Sequence, residues 1–249
     1  MSCAALMDGW PVVIGGLGGS GTRAVVDYLR MAGVFPGSRL NVSNDSLPFA
    51  DLYDTSVDEY LSDPYAFDKV KWCRKVGRAL EEHLAGKPPG QRWLLKNPRS
   101  ILMLEPLSSC LEGLFFVHVV RNGVEMAFSG NQRQAVLHGD RILGPEGERL
   151  AHGAVRSLAV WEAVNRMGER FARLQPDKYL RIRYEDFCLN PAQEMERLDR
   201  RVGFGLEHGK VDQRQFRKSL RALPVDWQHS LPAETRGARS LLQEYGYQC

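Results

Sequence analysis

Pro11-Val-Val-Ile-Gly-Gly-Leu-Gly-Gly-Ser-Gly-Thr-Arg23 joins a β-branched run to a glycine-dense turn, and Ala24-Val-Val-Asp-Tyr-Leu-Arg-Met-Ala32 follows with helix-forming composition. The order strand, glycine loop, helix builds an anion site. Glycine lets a ligand approach the main chain closely. The first unpaired N–H groups of the helix, with its dipole, then point at a negative charge. Gly18, Gly19 and Gly21 form the loop, Ser20 and Thr22 add hydroxyl donors where the helix starts, and Arg23 follows. The alternative is a strand-to-helix turn whose glycines serve packing. A phosphate or sulfate group fits the stretch better.

Three loops of this kind compete. A Walker A loop needs a Lys after its second glycine; counted from Gly16, Thr22 stands in that place, which argues against an ordinary P-loop kinase or NTPase. Gly16-Leu-Gly18-Gly-Ser-Gly21 fits the dinucleotide fingerprint. That fingerprint requires a second strand ending in an acidic residue roughly 20 residues past the glycines. Here Gly33 to Asp45 reads as loop, broken by Pro36 and Gly37. An NAD(P)-binding oxidoreductase therefore stays as an alternative without its expected context. The third reading is Ser20-Gly-Thr22 at a helix start, which needs support from the rest of the chain.

A chain of 249 residues suits one α/β domain over residues 1–249. A net charge of +3 gives no case for nucleic-acid binding. Arg residues gather in the last quarter, where a solvated face is the ordinary reading and a phosphate-rich ligand the rarer one. Cys3, Cys73, Cys110, Cys188 and Cys249 are odd in number and widely spaced, with no CxxC pair. They read as free thiols in a reducing compartment. No segment approaches the roughly 20 apolar residues of a membrane span, and residues 1–10 lack the pattern of a signal peptide. A cytoplasmic protein without a metal centre is expected.

Residues 36–66 contain Pro36, Pro48 and Pro64 among many Ser, Asn and Asp, and read as a long irregular segment. The spacing of Val70, Cys73, Val76 and Leu80 predicts an amphipathic helix over 67–85. Arg92-Trp-Leu-Leu-Lys96 is a short strand, after which Ser100 could cap a helix to about Leu107. Gly113-Leu-Phe-Phe-Val-His-Val-Val120 is continuous and apolar, as a central parallel strand requires. Helices are expected over 123–137, 153–174 and 191–202, the last beginning at Pro191, and a strand over 177–184. Alternating strands and helices imply a three-layer α/β fold with a mainly parallel sheet. The binding crevice should lie beyond the strand C-termini, where the glycine loop, Lys96, Arg121 and Tyr184 all fall.

Ser20-Gly-Thr22 resembles the 5′-phosphosulfate loop of the sulfotransferases that use 3′-phosphoadenosine 5′-phosphosulfate (PAPS). Three further stretches strengthen the resemblance, which covers roughly residues 11–205. Arg121 leaves the central strand and Ser129 lies eight residues on. In that family an Arg and a Ser at this spacing hold the donor's 3′-phosphate, which needs a bidentate cation and a hydroxyl converging on one group. Asn131-Gln132 also resembles bacterial members. Tyr184-Glu-Asp-Phe looks like the segment whose Tyr meets the adenine. Leu94-Leu-Lys96-Asn-Pro98 looks like the strand-end Lys-x-Pro whose Lys faces the sulfuryl group or the acceptor.

The resemblance thus implies a P-loop-like sulfotransferase fold and an enzyme that moves a sulfuryl group from PAPS to a hydroxyl of a small-molecule or carbohydrate acceptor, leaving PAP. It also leaves room for a PAP-binding protein without catalysis. Two departures stand out. Many members carry Lys or Arg immediately before Ser-Gly-Thr, and this chain has Gly19, so Lys96 or Arg23 must supply the cation. Cytosolic animal members use a His as base where Pro98 stands. Asp45 lies in the loop after the first helix, where other branches of the family place a catalytic carboxylate, so the resemblance makes it the candidate to take the acceptor's proton; a local turn role competes. His118, Asp51 and Glu105 are weaker candidates. In the tail, Arg217 and Arg221 are expected at the 3′-phosphate, against a plain solvated face.

Overall fold

A computed structural model describes residues 11–150, 153–216 and 235–247. Its centre is a four-stranded sheet of β1 (Val12–Gly15), β2 (Leu94–Lys96), β3 (Phe115–Val120) and β4 (Tyr179–Arg183). The strands lie in the order β2-β1-β3-β4 and all pairs are parallel. Val13 stands opposite Leu95 and Phe116, and Val117 opposite Leu180. Every residue of β1, β2 and β3 is buried. These are the unbroken apolar runs of strands covered on both sides, Lys96 and His118 excepted.

Alternation across the pleat divides the core in two. Val13, Leu95, Phe116 and Val120 face a layer containing α2 (Leu47–Ser62), α3 (Lys69–His83), α4 (Leu104–Cys110), α5 (Gly123–Ala127), α7 (Ala154–Leu174) and α10 (Arg236–Glu244), with α6 (Arg133–Leu143) packed on α7. Val12, Ile14, Phe115, Val117 and Ile182 face α1 (Thr22–Met31), α8 (Tyr184–Leu189) and α9 (Pro191–Val202). The architecture is the three-layer α/β fold expected. Because all four strands run the same way, Gly15, Lys96, Arg121 and Tyr184 emerge along one edge of the sheet.

Several local expectations need correction. The stretch 36–66 is not irregular throughout, because residues 47–62 form α2. Pro48 falls in the first helical turn, where its missing N–H costs nothing. The α3 helix buries Trp72, Val76, Ala79 and Leu80, whereas Val70 is 65% exposed; the true stripe is turned away from the one read from Val70. Ser100 is not a cap: it lies inside a 3₁₀ turn, Pro98–Met103, bonded to the Tyr53 hydroxyl at 2.9 Å. The cap is Asn97, which accepts the Arg99 N–H. The helix expected over 123–137 is two helices, since α5 ends at Ala127 and α6 begins at Arg133. Gln132 forces the break by donating its side-chain amide to the carbonyls of Met126, Ala127 and Ser129.

Two of the cysteines are not free thiols. Cys73 of α3 and Cys110 of α4 form a disulfide with Cα atoms 5.1 Å apart. Spacing could not reveal it, because 37 residues separate the two in sequence and only helix packing brings them together. A reducing compartment therefore no longer follows from cysteine usage. No described helix is long and apolar enough to cross a membrane.

Candidate active site

The loop Gly16–Gly21 turns sharply between β1 and α1, with positive φ at Gly16, Gly19 and Gly21. Gly21 is required by contact as well as by torsion. A Cβ there would lie 2.1 Å from Cδ2 of Tyr184, so the tyrosine ring rests on the bare backbone of the loop. The hydroxyl of Ser20 is buried and meets no hydrogen-bond partner among the described residues. Thr22 is buried too, while Gly19 and Arg23 are exposed. Arg23 leans along α1 toward Asp27, at 4.0 Å. The Gly18 N–H donates to Oε1 of Gln134 at 2.7 Å, which brings the start of α6 over the loop.

Arg121 leaves β3 beneath Trp161, whose indole N–H donates to the Arg121 carbonyl at 3.0 Å. The same ring lies on Gly123, where a Cβ would be 2.6 Å away. Asn122 then caps α5 by accepting the N–H groups of Val124 and Glu125. The Arg121 guanidinium lies 4.9 Å over the Tyr184 ring and donates from Nη2 to Glu125 at 3.1 Å. One edge of its fork of donors is therefore engaged. Burial, reinforced by Cys188, pushes the Tyr184 hydroxyl up to about 12, so it remains protonated at neutral pH. The neighbouring Glu185 accepts the Asn122 N–H at 3.0 Å and the Tyr247 hydroxyl at 2.8 Å. The chain's last described residue is thereby tied to the turn that carries Arg121.

On the other side of the loop, Lys96 ends β2 with its side chain only 2% exposed. Its ammonium donates to the Ser43 carbonyl at 2.7 Å and to Oδ1 of Asp45 at 2.5 Å. Burial pushes the Lys96 ammonium below the usual lysine range, and Asp45 opposes that shift. Oδ2 of Asp45 accepts from Asn41 Nδ2 at 2.9 Å. The loop closes through a bridge between Leu40 and Ser46, and the Ser46 N–H donates to the Lys96 carbonyl at 2.8 Å. Behind it, His83 sits between Ser46 Oγ and the Leu94 carbonyl. Since a carbonyl only accepts, Nε2 carries the proton and Nδ1 accepts from the serine.

The arrangement brings together Gly21, Tyr184 and Arg121 in one group, and Lys96 with Asp45 in another, at the same edge of the sheet. Ser129 lies in the bend after α5, with its hydroxyl accepting the Asn131 N–H at 3.3 Å. Arg217 and Arg221 lie outside the described residues. Among the weaker candidates, Glu105 is engaged by Lys69 and Tyr60, and Asp51 is exposed on α2. His118 is buried in mid-strand against Tyr179, and burial lowers it to about 4, the state of a structural, neutral imidazole. Gln134, Asn44 and Asp27 escaped sequence reasoning, each a polar residue in a helix or loop with no motif to mark it; Glu185 lies inside the Tyr184-Glu-Asp-Phe segment but was given no role there. Among the described residues no cluster of three metal-ligating side chains occurs.

This geometry agrees with the matches found. The profile of the sulfotransferase family matches residues 11–208, a span that contains the glycine loop, Lys96, Arg121 and Tyr184. The chain belongs to the sulfotransferase family. Among solved structures it is similar to the sulfotransferase domain of the Synechococcus PCC 7002 olefin synthase, at 13% identity and a TM-score of 0.54, covering 96% of this chain and 95% of the other. It is also similar to the sulfotransferase domain of the curacin biosynthetic pathway, at 12% identity and a TM-score of 0.52, covering 96% and 98%. At such identities the likeness is one of fold. No curated protein matches. Membership of the sulfotransferase family removes the dinucleotide reading of the glycines.

Proposed function

We propose that this sulfotransferase moves a sulfuryl group from PAPS to an acceptor hydroxyl. The observation that carries the reading is the junction of Gly21, Tyr184 and Arg121. Three stretches remote in sequence, each resembling a nucleotide-binding segment, meet at ring-contact distance. The unpartnered Ser20 hydroxyl inside the loop fits the same reading, because a buried donor without a partner is costly unless a ligand completes it.

Gly18 to Arg23 would hold the 5′-phosphosulfate by backbone N–H groups and the helix dipole. Arg121 would take the 3′-phosphate with the edge of its fork that Glu125 leaves, aided by Ser129 and by Arg217 and Arg221, and Tyr184 would pack on the adenine. When bound, PAPS supplies the sulfuryl group and a leaving phosphate. As the acceptor oxygen bonds to sulfur, the bond to the bridging oxygen breaks, its electron pair goes to the phosphate, and the acceptor proton goes to Asp45. Lys96 has a third N–H beyond those given to Ser43 and Asp45, and its charge would stabilise the oxygen that becomes negative. Positioning and electrostatics dominate such transfers, and a buried ammonium acts more strongly than an exposed one.

The test is calorimetric titration with PAP, with NADH and ATP as controls. Micromolar PAP binding that Arg121→Ala weakens on the order of 100-fold or more supports the assignment. Unchanged affinity in Arg121→Ala refutes it.

A further inference from the structure

Among the described residues one that is not glycine has positive φ: Asn44, at 60°. That conformation is uncommon outside glycine, and asparagine enters it most readily. Glycine would serve the backbone better, so the presence of asparagine points to its side chain. That side chain is buried, and its Nδ2 donates to Oδ1 of Asp27 at 2.7 Å. Asp27 lies on α1, whose first turn continues the glycine loop, and it also faces Arg23 at 4.0 Å and Arg30 at 3.6 Å. The residue after Asn44 is Asp45, paired with Lys96. Asp27 thus stands between the helix of the donor loop and the loop that carries the carboxylate.

We infer that Asp27 is a positioning residue for sulfuryl transfer: through Asn44 it sets the Asp45 carboxylate against Lys96 and fixes it relative to the donor loop. The inference rests on the proposed function. The fold does not need this bond to close the segment. The Leu40–Ser46 bridge, the Ser46 N–H to the Lys96 carbonyl, and the Leu47 N–H to the Arg39 carbonyl at 3.0 Å already do so. What Asp27 adds is the placement of the tip, residues 41–45. Strained residues held by their surroundings gather where placement matters to chemistry.

Asp27→Ala should leave PAP affinity within about threefold of wild type and the acceptor KM nearly unchanged, while kcat falls about 10- to 100-fold, as for a small misplacement of a reacting group. Asn44→Asp sets two carboxylates together and should lose at least as much activity. The double variant Asp27→Asn with Asn44→Asp restores the bond with its polarity reversed, and should recover most of kcat. A merely structural role would lower thermal stability and all kinetic constants in parallel, with no recovery in the double variant; that pattern overturns the inference, as does wild-type kcat in Asp27→Ala. Hydrogen exchange of the Asn44 and Asp45 amides, which donate within the tip to Asn41, is read alongside and needs no sulfuryl donor. Faster exchange in Asp27→Ala is expected, and unchanged exchange overturns the inference by itself. Wild-type protein that neither binds PAP nor transfers sulfuryl groups refutes the proposed function instead.

Discussion

Replacing Gly21 by alanine tests the proposed nucleotide site at its tightest point. At φ 100° the new residue is held in a left-handed conformation, which costs about 1–2 kcal/mol for an L-residue. That cost is present with or without ligand, so it appears as lost stability, a fall of roughly 2–8 °C in Tm for a chain of this size. The second effect is specific. A Cβ at 2.1 Å from Cδ2 and 2.7 Å from Cε2 of Tyr184 cannot be accommodated unless the ring leaves the loop, and the ring is also the surface under the Arg121 guanidinium. Losing a partly buried cation–π pair costs about 1–2 kcal/mol, and losing an aromatic platform for a base about 1–3 kcal/mol. Taking ~2–5 kcal/mol together, PAP should bind roughly 30- to 4000-fold more weakly. Calorimetry on the folded variant reads the affinity, and a melting curve separates the two effects. If Tyr184→Ala already lacks the ring, adding Gly21→Ala should change affinity little, because the two substitutions act through one contact. A folded Gly21→Ala variant that binds PAP within about threefold of wild type would refute the reasoning, since a factor of three is well under 1 kcal/mol.

Lys96→Met should lower sulfuryl-transfer kcat by about 100-fold or more while leaving PAP affinity nearly intact, as expected for a group that acts on developing charge; equal losses in both would show a binding role instead. Burial holds His83 and His118 near 4 against about 6.5 in the unfolded chain, so protonation favours unfolding. Their stabilising contribution is complete above pH 6.5 and is lost as pH falls toward 4, each costing about 2 kcal/mol by pH 5; urea unfolding with the same stability at pH 7 and pH 5 would contradict it. Reducing the Cys73–Cys110 bridge frees a loop of 37 residues, and chain entropy predicts a loss of about 3–4 kcal/mol. Denaturant melts with and without dithiothreitol measure it, and thiol alkylation of the unfolded, unreduced protein should leave these two cysteines unlabelled.

Periodicity and punctuation were enough for the sheet and for α1, α3, α7 and α9. Phe115–Val120 is apolar at every position but His118, and Pro191 and Asn190 mark the start of α9, where Asn190 accepts the Gln193 N–H. The failures have a common cause. Pro48 looked like a breaker because sequence does not say which turn of a helix it occupies. Gln132 ended α5 through side-chain bonds to three carbonyls, a contact with no compositional signature. The disulfide depended on the packing of α3 on α4. At the site, Arg121 and Tyr184 were legible because strand ends carry them, and parallel strands bring their ends to one edge. The pairing of Asp27 with Asn44 was not, since it is a contact between a helix flank and a loop tip.

Gly19 is the clearest case of a residue whose meaning changes once its backbone is known. In sequence it is a missing cation before Ser20. In the fold its φ is 96° and a Cβ would point toward Asn131 Nδ2, 3.4 Å away. A lysine or arginine there would be strained by the torsion, although its Cβ would meet only ordinary contact. The geometry of this loop therefore resists a cation at position 19, and glycine is the residue the turn demands. In the proposed transfer the charge comes from Lys96 or Arg23, and Lys96 ends a neighbouring strand. It is buried, ends β2 opposite Ile14 just before the glycine loop, and is held by Ser43 and Asp45. An ammonium fixed by a strand needs less reorganisation than one at the tip of a glycine turn. On this view the departure at Gly19 and the buried Lys96–Asp45 pair are two sides of one arrangement, with the cation moved from the loop to the sheet beside it.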